Sequence, residues 1–356
     1  MMSVIRAEDL HDLARLHDPS GVLSVYATVD PQAENAVPAP WQVTIPRLLA
    51  DLGRHATGPV RNRLEAIEPE LKTLLDAGVA GRGRALFATV DGGAVRLLRV
   101  QSALTDTVRL AGSAYLRPLA VAYSAAAPAG IVAVGGHGLR VVDCRLGWAE
   151  LVGAAEYRPG TRSRTPNRRS GSQRDRHEHR ATAHLERFLT GCGSGLAGFG
   201  ARPDWEHLLV TGDTELVTAF AARLPDLPHT EVVRAHHVAA AALPAPRIAA
   251  LVATDLRAAR QHTHLRLAVM ARDIAHAGGA ATAGPEDTLR AAAQGRIRRL
   301  LLDGAARLAD RYGAGAELDE LLIEQTYRAG GAVTIVGGPA AEALAGCAGV
   351  AALLHP

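Results

Sequence analysis

Between Arg158 and Arg180 the chain runs for 23 residues, RPGTRSRTPNRRSGSQRDRHEHR, without a Leu, Val, Ile, Phe or Met. Such a stretch can bury nothing. Whatever fold the chain adopts must be built on either side of it and carry it as a long surface loop, expected to be mobile. Eight of its residues are Arg against two acids, Asp175 and Glu178, a balance suited to polyphosphate surfaces. The chain as a whole is 48% apolar and 21% charged, which is the composition of globular domains. Its 356 residues are enough for two or three cores. Only four Phe, six Tyr and three Trp are available, so those cores must rest on Leu, Val, Ile and Ala.

Net charge is only +3, and Lys72 is the one lysine. The preference for Arg is chain-wide, so the position of an arginine says more than its presence. Cys144, Cys192 and Cys347 are odd in number and far apart, which speaks against a disulfide framework or a zinc ribbon. The opening MMSVIRAEDLHDL lacks the apolar region of a signal peptide, and the longest apolar stretches are too short for a bilayer. A cytoplasmic location and no membrane partner are expected.

Periodicity predicts a helix over 7–16, a strand over 22–29, and helical spacing from Val43 to about Gly78, interrupted at Gly58-Pro59. Strands over 84–90 and 93–100 flank the Asp91-Gly92 hairpin signal. The small-residue run Ser124–Gly130 reads as a linker. Strands over 131–134, 139–144 and 149–154 lead into the basic segment, and Asp175 can cap a helix whose inner face carries Ala181, Leu185, Phe188 and Leu189. A strand over 207–211, a helix over 216–224 and a strand over 230–234 follow. After the Ala/Pro-rich run 239–246 comes a long helix, 247–277, ended by Gly278-Gly279. The remaining elements are a helix over 285–293, a strand over 297–303, a helix over 318–328, a strand over 332–336, a short helix over 340–345 and a strand over 349–354. The expected fold is α/β in three domains: 1–127, 128–242 carrying the loop 158–177, and 243–356 as an α/β/α layer structure.

At the middle of the basic segment stand Gly171, Ser172 and Gln173. This tripeptide, on a loop between strands and a helix, resembles the Gly-Gly-Gln loop of archaeal and eukaryotic class-1 release factors. It resembles still more the Gly-Ser-Gln variants of Vms-type tRNA hydrolases. Further on, GGAATAGPEDTLRAAAQGRIRRLLLDG (278–304), AGGAVTIVGG (329–338) and GVAALLHP (349–356) are similar to the C-terminal domain of release factors and Pelota. The chain is thus identified as a bacterial relative of the archaeo-eukaryotic release-factor family. The resemblance implies an RNase H-like middle domain and a C-terminal domain like the kink-turn-binding ribosomal-protein fold. It implies the ribosome, its rRNA and peptidyl-tRNA as partners, allows a translational GTPase, and implies no DNA, no metal and no cofactor.

The chemistry of peptidyl-tRNA ester hydrolysis suits these residues. Glycine lets a backbone approach RNA closely because it has no Cβ. A Gln amide is no base at neutral pH, but it can orient a water while a backbone N–H stabilises the developing oxyanion. In this reading Gln173 is catalytic, and Gly171 and Ser172 shape the loop. Arg164, Arg168, Arg169, Arg174, Arg176 and Arg180 bind RNA phosphates. Two alternatives stay open: a non-enzymatic, hibernation-type factor occupying the A site, and cleavage of tRNA near its 3′ end. Ser172 in place of the second glycine departs from the release-factor form.

Other motifs are weaker. The run Gly193 to Gly198 satisfies a dinucleotide pattern but follows a helix, and Gly135-Gly136-His137-Gly138 reads as a turn. His177 and His179 are two apart on a helix and do not share a face. His236, His237, His262 and His264 read as surface residues. Asp143 and Asp213 follow strands and could hold a nuclease metal only with further ligands.

Overall fold

The structure, a computed structural model, describes residues 3–30, 39–157, 184, 187–199, 204–227, 230–237, 240–305 and 318–355. It is mixed α/β with three sheets. By contacts the chain forms two compact units, residues 1–126 with 261–356, and residues 127–260.

The first sheet has the order β1-β4-β3-β2-β5, from Ser3–Val4 (β1), His17–Thr28 (β2), Gly83–Thr89 (β3), Val95–Val100 (β4) and Thr107–Ser113 (β5). β2, β3, β4 and β5 pair antiparallel, and Asp91-Gly92 lies in the turn joining β3 to β4, with Gly92 at φ +86°. The predicted helical stretch after residue 43 is three helices: α2 (Pro40–His55), α3 (Gly58–Ala66) and α4 (Glu68–Leu75), following α1 (Ala7–Ala14). Glu68-Pro69 adds a break beyond Gly58-Pro59, because Pro suits the first turn of a helix and not its interior. Trp41, Ile45, Ile67 and Leu74 from these helices meet Leu23, Val25, Leu86 and Ala88 in one core. Arg84 of β3, fully buried, closes the end of α4 by donating to the carbonyls of Leu74, Asp76, Val79 and Gly81 at 2.6–3.1 Å.

Sequence reading misses β5 and α5 (Arg117–Ala125). The run read as a linker is not loose. Ser124 lies in α5, buried, and its hydroxyl donates to Ala120 O and accepts the Ile335 N–H.

The second sheet has the order β10-β9-β6-β7-β8: Ala129–Gly135 (β6), Gly138–Arg145 (β7), Trp148–Glu156 (β8), His207–Gly212 (β9) and Glu231–Ala235 (β10). β7 is antiparallel to β6 and β8, while β9 and β10 run parallel to β6. Period-two alternation fills both faces of β6. Ile131 and Ala133 meet Ile248, Val252 and Leu256 of α8 (Ala245–Leu251) and the stretch after it. Val132 and Val134 meet Leu189 and Cys192 of α6 (187–194) and Val217 and Phe220 of α7 (Thr214–Ala221).

The long helix predicted over 247–277 breaks at Val252, between α8 and α9 (Ala253–His276). Its end matches expectation: Gly278, at φ +72°, donates to Ala275 O and Gly279 to Ile274 O. The third sheet, order β11-β14-β12-β13, contains Ala281–Ala283 (β11), Ile297–Asp303 (β12), Ala332–Val336 (β13) and Val350–Leu354 (β14). Leu301 packs with Ala268 and Ala271 of α9. The other helices of this region are α10 (Pro285–Ala293), α11 (Leu318–Arg328), which packs on β12 and β13, and α12 (Pro339–Ala343). Among the described residues no helix is long and apolar enough to cross a membrane.

Candidate functional site

The basic segment leaves from the edge strand of the second sheet. Gly135 pairs with Gly138 across the turn Gly136-His137, as the sequence implies. The His137 carbonyl then accepts the Tyr157 N–H at 2.8 Å, which continues the strand pairing one residue past β8. A Cβ on Gly138 would lie 2.1 Å from Ala155 O, and its φ is +142°, so this tight arm needs glycine there. The Tyr157 ring meets Phe188 of α6, with centroids 5.2 Å apart. Leu189, next to Phe188, is buried in the core, as the predicted inner face required. The last described residue before the segment and the helix after it are therefore held against each other and against the sheet.

Gly171, Ser172, Gln173, Arg164, Arg168, Arg169, Arg174, Arg176 and Arg180 all lie outside the described residues. So do Asp175, His177, Glu178, His179, Ala181 and Leu185. What is described is the frame that carries them.

Beneath that frame sits a polar network that sequence reading did not find. Asp143, 4% exposed, accepts a forked pair from Arg145, Nε at 2.7 Å and Nη2 at 2.8 Å, and the Trp205 indole N–H at 2.6 Å. Arg145 also reaches Asp204 at 3.0 Å. Trp205 lies flat on β6 because residue 130 is glycine, where a Cβ would stand 2.3 Å from the indole ring. Burial next to Asp143 pushes the Cys144 thiol up to about 12, so it is an inert core thiol. Asp143 is thus occupied by cationic and indole donors. Asp213 caps α7, accepting the Glu215 N–H at 3.0 Å. Among the described residues no three His, Cys, Asp or Glu side chains are grouped to hold a metal. These carboxylates build the fold.

The remaining motifs resolve similarly. Gly193 lies near the end of α6, where a Cβ would meet the Arg223 carbonyl at 2.7 Å, and a 3-10 turn follows. The residues directly before it form α6 and not a strand, so the dinucleotide pattern is a coincidence of close packing. His237 is only half-exposed and pairs with Asp255 at 2.8 Å, while His236 and His262 are exposed.

Residues 115–260 match the model of a family described as bacterial archaeo-eukaryotic release factor family 10. No curated protein matches the chain. Among solved structures, Dom34 of S. cerevisiae, a translation termination-like factor, is 12% identical, with 76% of this chain and 78% of that one covered and a TM-score of 0.44. Pelota of Archaeoglobus fulgidus is 15% identical, with coverage of 99% and 93% and a TM-score of 0.36. The archaeal translation termination factor aRF1 is 15% identical, with coverage of 100% and 99% and a TM-score of 0.25. The second sheet, both anchors and the whole basic segment fall inside the matched residues 115–260.

Proposed function

We propose that the protein acts on the ribosome as a peptidyl-tRNA hydrolase. The observation that carries this reading is the position of Gly171-Ser172-Gln173. It lies within an eight-arginine segment, inside the family match, between a clamped strand end and a clamped helix. In the reaction a water oriented by the Gln173 amide attacks the ester carbonyl that joins the peptide to the terminal ribose. The carbon–oxygen bond to the ribose breaks, the ribose oxygen takes the proton, and peptide acid and intact tRNA leave. The Gln173 backbone N–H faces the developing oxyanion, where a donor counts far more than in the ground state. Arg164, Arg168, Arg169, Arg174, Arg176 and Arg180 neutralise RNA phosphates and hold the loop in register.

The sheet order β8-β7-β6-β9-β10, with its single antiparallel excursion, supports an RNase H-like reading of the middle module. The order β11-β14-β12-β13, with α9 on one face, supports reading the last module as like the kink-turn-binding ribosomal proteins. A translational GTPase as delivery partner and a cytoplasmic site of action belong to the same proposal.

Ser172 favours a second reading, since it departs from the Gly-Gly-Gln form of release factors. The product formed from peptidyl-tRNA on ribosomes with an empty A site separates hydrolysis, tRNA cleavage and occupancy. Free peptide with intact tRNA supports hydrolysis. Shortened tRNA moves the chemistry to the tRNA strand, and binding with neither product makes the protein an occupant of the site.

A further inference from the structure

β11 is the edge of the third sheet and, among the described residues, pairs only with β14. Backbone groups along an antiparallel edge turn alternately toward the neighbouring strand and away from it. Leu354 N–H donates to Ala280 O at 3.0 Å and Gly284 N–H to Val350 O at 2.9 Å, so residues 280, 282 and 284 face β14. Ala281 and Ala283 therefore turn their backbone outward. The Ala281 N–H is used, donating to Gly279 O at 2.8 Å. The Ala281 carbonyl and both backbone groups of Ala283 have no backbone partner among the described residues.

This free edge lies at the bottom of a groove. Ala281 packs with Ala268 and Ala271 of α9, while Thr282, on the other face, meets the Thr288 hydroxyl of α10 at 3.0 Å. A cavity of about 510 Å³ follows the edge, flanked by Ala275 and His276 of α9 and by Arg290 and Ala291 of α10. Its size lies within the range of binding sites, about 300 to 1,000 Å³. All its lining residues belong to one compact unit. Arg290 is held by Asp287 at 2.9 Å. Arg296 and His276 differ: both are exposed, and neither side chain has a hydrogen bond or ion pair among the described residues. Arg296 stands at the Ala281 end of the strand, because its carbonyl accepts the N–H of His355, the residue after Leu354.

A ligand that suits the groove must offer both donors and acceptors in strand spacing, together with a negative charge. A phosphate offers acceptors alone and leaves the Ala281 and Ala283 carbonyls unmet. An extended peptide meets all of these groups, as in the addition of a strand to a free sheet edge. We infer that the β11 groove docks an extended segment of a partner protein, its main chain paired with Ala281 and Ala283 and an acidic side chain on Arg296. The inference is independent of the ribosomal reading.

The test is an NMR titration of the full chain with the acetylated and amidated peptide AVEVA, following backbone amide shifts. Saturable shifts are expected at Ala281, Ala283 and Gly284. Two N-methylated forms, one blocked at both valines and one at the glutamate, separate strand pairing from loose contact. Only the N–H groups on one side of a strand face its neighbour, so one form should bind about tenfold more weakly than the other. Replacing the peptide's glutamate by glutamine, or Arg296→Gln in the protein, should weaken binding about two- to fivefold, the size of one exposed ion pair. Ala283→Pro deletes the outward N–H, a change that edge strands tolerate, and should weaken binding about tenfold, whereas Ala283→Ser keeps it. If Ala283→Pro fails to fold, the N-methylated pair and Arg296→Gln still decide. No saturable shift at millimolar peptide overturns the inference, as do N-methylated forms that bind equally. A single-stranded RNA that moves these amides where the peptide does not also overturns it, and makes the groove a nucleic-acid surface.

Discussion

Asp143, buried, and Glu320, half-buried, are both carboxyls next to arginines, and they behave as opposites. Asp143 has two guanidinium nitrogens and an indole N–H within 2.8 Å. Glu320 has one backbone N–H and two arginines acting through space, and burial leaves it near neutrality at about 7. Burying a charge costs several kcal/mol unless contacts return it, so the number of donors in contact decides between structure and responsiveness. The first site locks the sheet that carries the basic segment. The second changes charge with pH.

Removing the donors' partner should have the largest effect. Asp143→Ala strands the Trp205 indole and leaves Arg145 with Asp204 alone, and should cost on the order of 3–5 kcal/mol in urea unfolding. A loss below about 1 kcal/mol would mean that water replaces the network and that the contrast with Glu320 is weaker than drawn. Arg84 sharpens the same point from the cation's side. Arg84→Met leaves four carbonyls, that of Leu74 buried and the others partly so, to find new partners, and a loss of about 3 kcal/mol is expected by the same measurement.

Glu320→Gln should differ in sign as well as size. The carboxyl rises from its ordinary 4.5 to about 7 on folding, so the folded state holds its proton more tightly than the unfolded chain. Stability is fully retained below about pH 4.5 and is lost as pH rises toward about 7. Gln mimics the neutral form, so the variant should match wild type near pH 4.5 and exceed it at pH 8. Urea midpoints at the two pH values check this, and a difference that does not grow with pH rejects it. Smallest of all, His237→Ala removes a half-exposed pair with Asp255 and should cost less than about 1 kcal/mol.

Much of the framework is legible in the sequence. The apolar run IRRLLLD gives β12 over the predicted residues 297–303, and α11 and β13 also keep their predicted ends. β5 and α5 are not legible. TVRLAGS is short and ungated by turn residues, and the Ala-rich RPLAVAYSA runs into the stretch 124–130 that reads as a linker until β13 is there to pack against the helix. The Gly-Ser-Gln candidate shows because its residues are contiguous. The cavity lined by Arg109 and Glu320 does not, because the two stand 211 positions apart and only the fold joins them.

Peptide release decides whether the segment that the frame carries performs chemistry. Labelled peptidyl-tRNA on 70S ribosomes with an empty A site is mixed with wild type or Gln173→Ala, and binding is measured alongside. Gln173 is one neutral residue among many cations, so binding should stay within a few-fold while release falls about 10²-fold or more. Tight binding by both proteins with no release from either would contradict the hydrolase and leave a protein that occupies the site.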